Sequence, residues 1–431
     1  MRVAAYYTEM PVASTNVPVD QWFKIGENLR TGEDDFRHYF GEPTTLERDL
    51  LVVAAAIFAT DLLVKRGKRE EITRDIHLTI AVVNYHALEG QRVALERILH
   101  FLSHDNWTLA FLPEPGMPEP LSYPAARNGK ALLFSGGLDS LAAAVDLLDT
   151  FGFQRVLLAS HLTGNTFTIR AQSQLHAYLE AIYGGTIDRV AIRTGGKNTE
   201  DMEFTNEPEV SQRTRSFTFL TIACLAARRR GMSEIVMIAE NGQMAIHLPL
   251  SAGRIGAFST HTAHPKFVRE VAQFFSAVMQ YPIDLQNPFV HKTKAEVVAQ
   301  LALSHQQAVR LSTSCWKSWR VGGLHCGECV PCYVRRIALE YQGVQVDRWK
   351  RDVFIEDVGA LDMKDEGKRN LTELARFAAD FRTLPDFELD MTYCELFSTD
   401  FDHDAAVAMY RRFAEEAREV LSRYPALAHL I

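Results

Sequence analysis

The chain has 431 residues, of which 47% are hydrophobic, and it carries a formal net charge of −8. This length allows two or three folding units with hydrophobic cores, and the acidic balance argues against a general nucleic-acid-binding surface. The first 17 residues lack the basic and apolar regions of a signal peptide. The apolar stretch 50–60 is too short to span a membrane. We therefore expect a soluble, cytoplasmic protein without a membrane partner.

Residues 1–125 are predicted to form an N-terminal α+β accessory domain. Hydrophobic periodicity predicts helices near 46–65 and 91–103 and strands near 76–83 and 107–112. Five prolines follow within about a dozen residues, at Pro113, Pro115, Pro118, Pro120 and Pro124. Such a density is incompatible with a helix or a central strand, so this segment is predicted to be a linker.

Residues 131–134 form an apolar run that breaks into Ser-Gly-Gly-Leu-Asp-Ser just before a helix-like segment. Two glycines at such a turn let backbone N–H groups approach an anion, and the serines add hydroxyl donors. A carboxylate beside polyphosphate calls for Mg²⁺ between them, and the lysine of a Walker A loop is missing. The stretch resembles the PP-loop of ATP pyrophosphatases, and the alternative is an ordinary glycine-rich turn. The predicted ATP-binding residues are Ser135, Gly136, Gly137, Leu138, Asp139 and Ser140.

From residue 130 onward, short apolar runs alternate with segments of helical length. The predicted strands are 131–134, 155–160, 189–193 and 234–239, and the predicted helices are 140–150, 166–183 and 211–230. Gly152, Gly184 and Gly231 are placed as helix C-terminal stops. This alternation is typical of a doubly wound parallel sheet, whose ligands bind at the carboxyl ends of the strands. Residues 126–340 are therefore predicted to be a single α/β domain.

Four of the six cysteines follow the pattern C-x10-C-x2-C-x2-C, at Cys315, Cys326, Cys329 and Cys332. Four thiolates at this spacing suit tetrahedral Zn²⁺ without an open position, so a structural zinc knuckle is predicted at 315–332. An iron–sulfur cluster and unmetallated thiols are the alternatives. His325 is expected to be a bystander, and Cys224 and Cys394 are expected to be inert core thiols.

Residues 341–431 are predicted to form a helical C-terminal extension. Its apolar residues recur at helical spacing, as at Phe377, Phe381, Met409, Phe413, Val420 and Leu421. Such stripes are typical of packing faces, although they can also bind a partner.

The loop and the cysteines together resemble the 7-cyano-7-deazaguanine synthase family of the queuosine pathway. The resemblance covers about 130–340 and includes the cysteine segment with Arg335, the stretch 215–220, the tripeptide 240–242, and the segment 288–296. It implies an adenine-nucleotide α-hydrolase (HUP-like) fold. It also implies adenylation of the carboxylate of 7-carboxy-7-deazaguanine by ATP, after which an amine attacks the acyl-adenylate.

The resemblance implies roles for several residues. Asp139 is assigned, as a catalytic residue, to the pyrophosphate and Mg²⁺ together with the loop, and Lys294 and Arg215 to the α-phosphate and transition-state charge. Glu240, Asn241 and Arg335 are assigned to substrate binding, with Arg335 near the rim of the cleft. There are simpler alternatives. Thr293 and Glu296 match a capping box, which would make Lys294 an ordinary surface charge, and residues 240–242 could form a plain turn.

This chain departs from the family by its two additional units and by a different sequence at 216 and 240–242. It thus resembles extended members found in bacterial anti-phage operons, such as the Qat system and type IV cyclic-oligonucleotide systems. The favoured hypothesis is a C–N ligase that joins a deazaguanine carboxylate to a co-encoded protein acceptor. The alternatives are a nitrile synthase that uses ammonia, a tRNA-modifying PP-loop enzyme, and a nucleotide-binding scaffold without catalysis.

Overall fold

The computed structural model describes residues 1–6, 19–66, 73–120, 122, 124–125, 127–185, 187–198, 208–209, 211–232, 235–250, 261–345 and 348–430. Two parallel sheets with flanking helices are followed by a helical C-terminal unit. The predicted α/β fold is confirmed. Among the described residues, no helix combines the length and the apolar character that a transmembrane span requires.

The N-terminal unit contains β1 (Arg2–Tyr6), β2 (Gln21–Lys24), β3 (Leu29–Arg30), α1 (Glu33–Phe40), α2 (Thr45–Leu63), β4 (Asp75–Val82), α3 (Tyr85–Glu89), α4 (Arg92–Ser103) and β5 (Asn106–Pro113). Its sheet has the order β2-β1-β4-β5, and every strand pair is parallel. Parallel neighbours need crossover connections, and α2 and α4 lie in the connections that lead to β4 and to β5. This unit is therefore built on an α/β pattern rather than on the α+β pattern expected. The described residues of the proline-rich segment after β5 have no regular secondary structure.

The central unit contains β6 (Lys130–Leu133), α5 (Leu138–Phe151), β7 (Val156–His161), α6 (Thr166–Tyr183), β8 (Asp188–Ile192), β9 (Gly195–Gly196), α7 (Arg215–Arg229), β10 (Ile235–Met237), α8 (Gly242–Ile246), α9 (Pro265–Met279), β11 (Asp284–Gln286), α10 (Lys294–Ser304), α11 (Gln306–Leu311) and α12 (Val330–Tyr341). Its parallel sheet has the order β11-β10-β6-β7-β8. The chain runs outward from β6 to β8 and returns on the other side of β6 to β10. Ligands of doubly wound sheets bind at such a switch point, here between β6 and β10.

The N-terminal and central units share one hydrophobic core. Helix α2 is buried along most of its length and packs against α7, so that it lies between the two sheets. Its Asp61 accepts hydrogen bonds from the N–H (2.9 Å) and the hydroxyl (3.0 Å) of Thr214, the residue before α7. Strand β3 also pairs with β9. The N-terminal unit thereby fixes the position at which α7 begins.

The C-terminal extension contains α13 (Glu366–Thr383), α14 (Asp386–Thr392) and α15 (His403–Leu421). Its predicted apolar stripes are buried in a core that also includes residues of α8 and α12, so the expectation of packing faces is confirmed. Short 3₁₀ turns lie at Phe153–Arg155, Ser318–Val321, Val353–Ile355, Cys394–Phe397 and Pro425–Leu430. The prediction of a core position was right for Cys224, which is buried, and wrong for Cys394, which is exposed in one of these turns.

Candidate active site

The predicted phosphate loop joins β6, the middle strand of its sheet, to α5. Gly136 has a φ of 84°, and an added Cβ would lie 3.2 Å from the backbone N of Gln172, so the turn requires glycine. Gly137 is the N-cap of α5 and makes no side-chain cap bond, so the first N–H groups of α5 are available to an anion. The hydroxyls of Ser135 and Ser140 lie 3.2 Å apart above this turn. Leu138 is fully buried and can offer a ligand only its backbone.

Asp139 and Lys294 form a buried ion pair at this loop. The ammonium group of Lys294 donates to Oδ2 of Asp139 at 2.5 Å, and both side chains are 8% exposed. The capping box is also present, because Thr293 accepts from the N–H of Glu296 at 3.1 Å and Glu296 accepts from the N–H of Thr293 at 2.8 Å. The capping box at residues 293–296 is therefore compatible with a role of Lys294 in the site. Lys294 is buried and is not a surface charge.

Glu240 and Asn241 contact Asp139 from the segment that follows the neighbouring strand β10. The buried Asn241 amide donates to Oδ2 of Asp139 at 3.1 Å and to Oε1 of Glu240 at 3.3 Å. Asn287 fixes the backbone of Glu240 through hydrogen bonds of 2.8 and 3.2 Å. Burial, together with the negative charge of Asp139, raises the pKa of Glu240 well above its usual value, although Lys294 opposes this shift. Two carboxyl groups therefore face each other at the switch point.

This pair of carboxyl groups fits a hard divalent cation. Oδ1 of Asp139 is buried and accepts no hydrogen bond within the described part of the chain. Mg²⁺ in nucleotide sites is held by one or two carboxylates together with phosphate oxygens. Asp139 and Glu240 supply the first kind of ligand, and the adjacent loop would place the second.

Arg215, a predicted site residue, lies outside the cluster formed by Asp139, Lys294, Glu240 and Asn241. The Arg215 guanidinium stacks on Phe219, 5.5 Å from the ring centroid, and donates to Oε1 of Gln212 at 3.4 Å. Burial lowers the pKa of Arg215, and within the described residues no carboxylate lies at ion-pair distance from it. Burial and the charge of Arg215 lower the pKa of His161, at the end of β7, to about 3. Arg215 thus lies on the carboxyl side of the sheet, one strand away from the loop.

Arg335 is fully buried, and not at the rim where we expected it. It donates to the carbonyl oxygen of Val309 at 2.7 Å and to the hydroxyl of Ser312 at 2.9 Å. The next residue, Thr313, donates its N–H to the carbonyl oxygen of Gly136 at 3.0 Å. The contacts of Arg335 therefore hold a segment that supports the phosphate loop.

Two buried glutamines support the site and were not predicted from the sequence. The amide of Gln172 lies 3.4–3.5 Å from the carbonyl oxygens of Phe134, Ser135 and His161. Gln243 accepts the backbone N–H of Lys294 at 3.0 Å. No local pattern marks Gln172, whereas Gln243 directly follows the tripeptide 240–242 and could have been included with it.

The four predicted cysteine ligands converge beside this site. All four are buried, and their sulfur atoms lie within 4.8 Å of one another. Sγ of Cys332 lies 3.4 Å from that of Cys329 and 3.8 Å from that of Cys326, close to the spacing of about 3.8 Å that tetrahedral Zn–S bonds of about 2.3 Å impose. The Sγ of Cys315 accepts two backbone N–H bonds of 3.3 Å, as expected of a thiolate. The arrangement could hold zinc.

Comparison with known proteins places the similarity in the central unit. Residues 130–343 match the family model for the queuosine biosynthesis protein QueC. The 7-cyano-7-deazaguanine synthase of Paracoccus denitrificans is 25% identical over 225 residues, which cover 49% of this chain and 88% of the relative. The synthase of Brucella anthropi is 29% identical over 159 residues, 37% of this chain and 60% of the relative. The synthase of Sulfolobus acidocaldarius is 29% identical over 89 residues, 19% of this chain and 18% of the relative.

Proposed function

Because residues 130–343 are a domain of the QueC family, we propose that this chain uses ATP to adenylate the carboxylate of 7-carboxy-7-deazaguanine or a close analogue. In this step a carboxylate oxygen forms a bond to the α-phosphorus, the bond to the bridging oxygen breaks, and pyrophosphate leaves. An amine nitrogen then attacks the acyl carbon and loses a proton, and AMP leaves. The net reaction forms a C–N bond.

The observation that carries this proposal is the convergence of Asp139, Lys294 and Glu240 beside a phosphate loop at the switch point. The N–H groups at the start of α5 and the hydroxyls of Ser135 and Ser140 would bind the two outer phosphates. Lys294 would offset negative charge at the α-phosphate. Mg²⁺, held by Asp139 and Glu240, would neutralise polyphosphate charge.

Arg215 is our second candidate for charge developing at the α-phosphate. A desolvated guanidinium without a carboxylate partner in the described residues favours an anionic ligand. Asn241 remains our candidate for contact with the substrate. Glu240, which the family resemblance assigned to substrate binding, would serve equally well as a ligand of the metal. Arg335 would act through the segment 309–314 rather than by direct contact.

We propose a protein amine as the acceptor, in an anti-phage defence role. The support is architectural: the N-terminal unit and the C-terminal extension lie before and after the matched segment in the chain and pack against it, through α2 on α7 and α15 on α12. We infer that one or both of them dock the acceptor. Ammonia is the alternative acceptor, with the amide then activated again and dehydrated to a nitrile. The names of the relatives, 7-cyano-7-deazaguanine synthases, favour that alternative.

The adenylation itself is tested by ATP–pyrophosphate exchange in the presence of Mg²⁺ and 7-carboxy-7-deazaguanine. We expect exchange that depends on the carboxylate and is lost in Lys294→Met. Lys292→Met is the matched control, because Lys292 is exposed two residues away. Absence of exchange in the wild-type protein, or equal exchange by both variants, would contradict the proposal.

The acceptor is tested by mass spectrometry of complete reactions. With ammonia as the only amine, clean turnover to the nitrile would defeat the protein-acceptor hypothesis. With the product of a neighbouring gene present, a mass increase on that protein equal to the acyl-deazaguanine group would defeat the nitrile alternative.

A further inference from the structure

Helix α15 of the extension, which lies outside the matched segment, packs against the segment that follows β10. Met409 fills the space beside Gly242, where an added Cβ would lie 2.7 Å from its methyl carbon. The buried hydroxyl of Tyr410 accepts the N–H of Leu248 at 3.4 Å and lies 3.5 Å from the carbonyl oxygen of Gln243. Helix α15 therefore braces the short helix α8 next to the site.

The same helix contacts the residue just before Lys294. The hydroxyl of Thr293 donates to Oε1 of Glu416 at 2.6 Å and accepts the N–H of Glu296 at 3.1 Å. A hydroxyl has a single proton, so the carboxyl group of Glu416 sets the direction in which Thr293 donates and leaves a lone pair for the cap bond. Thr293 and Glu416 are both buried, so water is poorly placed to substitute for either partner.

A second contact of α15 holds the same turn from outside. Arg412 donates to Oε1 of Glu296 at 2.7 Å and to the carbonyl oxygen of His291 at 2.8 Å. Lys294 is the first residue of α10 and directly follows Thr293, so the contacts of α15 fix its backbone on one side. Its backbone N–H is bound to Gln243 and its ammonium group to Asp139.

We propose that Glu416 is a positioning residue for Lys294, because it orients the Thr293 hydroxyl that caps α10 and so fixes where the Lys294 ammonium group lies. The inference rests on the proposed function, which gives Lys294 its role at the α-phosphate. It assigns the C-terminal extension a direct part in the geometry of the active site, apart from any role in docking an acceptor.

The test compares Glu416→Ala and Glu416→Gln in the full chain, with Glu419→Ala as the matched control. Glu419 lies one turn further along α15 and is exposed, and within the described part of the chain its side chain pairs with Arg423 alone. We expect Glu416→Ala to lower kcat for ATP–pyrophosphate exchange about tenfold while KM for ATP changes less than about twofold. Glu416→Gln retains an acceptor oxygen for Thr293 and should stay within about twofold of the wild-type kcat.

A second measurement does not depend on the reaction. Lys294 is buried and ion-paired, so an amine-reactive reagent should modify it slowly in the wild-type protein, and mass spectrometry can follow that rate. We expect faster modification of Lys294 in Glu416→Ala and in Thr293→Val, but wild-type rates in Glu416→Gln and Glu419→Ala. The Thr293 variant removes the donor and leaves Glu416 in place, so the effect is tested even where Glu416→Ala folds poorly.

The outcomes separate this inference from the proposed function. If the wild-type protein shows no exchange but the two disruptive variants expose Lys294, the proposed function fails and the positioning role stands. If exchange is normal and Glu416→Ala matches Glu419→Ala both in kcat and in the labelling of Lys294, the positioning role is overturned and the proposed function stands.

Discussion

Lys294 and Asp139 are 155 positions apart in the chain, yet they form a buried ion pair with an N–O distance of 2.5 Å. Each charge offsets the cost of desolvating the other, and removal of one partner ordinarily leaves an uncompensated buried charge. Here a third group can respond, because the pKa of Glu240 is raised partly by the negative charge of Asp139. The effect of a substitution at Asp139 therefore depends on Glu240.

We expect Asp139→Asn to abolish pyrophosphate release while the protein remains folded. The substitution removes the carboxylate proposed to hold Mg²⁺, and a loss of at least about 100-fold in kcat is expected. Loss of the negative charge removes one of the causes that raise the pKa of Glu240, so the Glu240 carboxyl group can take over as a partner for Lys294. Pyrophosphate release and the thermal unfolding temperature are the measurements.

The control for this prediction is Asp146→Asn, an exposed position on the same helix α5. It should match the wild-type protein in both measurements. Pyrophosphate release by Asp139→Asn within about twofold of the control would rule out the metal-binding role, since such a role requires a large loss.

Cys329→Ser is expected to cost folding rather than catalysis. The four cysteine side chains are buried and their sulfur atoms converge, and a structural zinc ion contributes on the order of 10 kcal/mol to the folding of such sites. The variant should be insoluble, or should lose its metal and unfold at a much lower temperature. Cys394→Ser, at an exposed cysteine, is the matched control. A metal-free Cys329→Ser protein with normal unfolding would show that the cluster is dispensable.

The sequence predicted those parts of the structure that local patterns determine. The strand–turn–helix at 130–151, the helix at 166–183 and the glycine stops after α5, α6 and α7 follow from periodicity and backbone freedom within one segment. Resemblance to a family added Lys294 and Asn241, which the structure brings together at Asp139.

Contacts between distant segments were not predictable in this way. The bond between Asp61 and Thr214 joins residues 153 positions apart, and Arg335 acts on a segment more than twenty residues earlier. A buried arginine that binds carbonyl oxygens and an arginine that binds substrate look the same in a sequence. The placement of Arg335 at the cleft rim was wrong for this reason, since only the tertiary structure shows what the guanidinium faces.

Asp61→Asn tests whether residues 1–125 fold independently. The carboxylate of Asp61 binds Arg74 at 2.5 Å and caps the start of α7 through Thr214, and it is fully buried. Loss of its charge should destabilise the protein by about 3 kcal/mol. Because α2 lies in the core shared by both sheets, we expect one cooperative urea transition that shifts as a whole. Asp34→Asn, at an exposed carboxylate, should leave the transition unchanged.

Two transitions, of which only the first shifts in Asp61→Asn, would instead show an N-terminal domain that unfolds on its own. In that case the prediction of a separate accessory domain would be right in spite of the shared core.

Glu416→Gln should make the stability of the protein less dependent on pH. Burial raises the pKa of Glu416 from its ordinary value near 4.5 to about 7, although the Thr293 hydroxyl opposes the shift, Glu296 adds to it and Arg412 reduces it. The folded state therefore holds this proton more tightly than the unfolded state. The corresponding stability is complete below about pH 4.5 and is lost as the pH rises through 7.

The glutamine variant has no proton to lose at this position. Its free energy of unfolding, relative to the wild-type protein, should increase by about 2 kcal/mol between pH 5.5 and pH 8. The amide group that replaces Oε2 changes the free energy of unfolding by the same amount at every pH. The quantity to compare is therefore the slope, against pH, of the difference in free energy of unfolding between variant and wild-type protein. Urea unfolding at several pH values measures it. Glu419→Gln, on the exposed face of α15, should show no slope. If the difference in free energy of unfolding for Glu416→Gln does not change with pH, the carboxyl group titrates near its ordinary pKa in the folded protein. The packing of α15 against Thr293 would then not remove that carboxyl group from water.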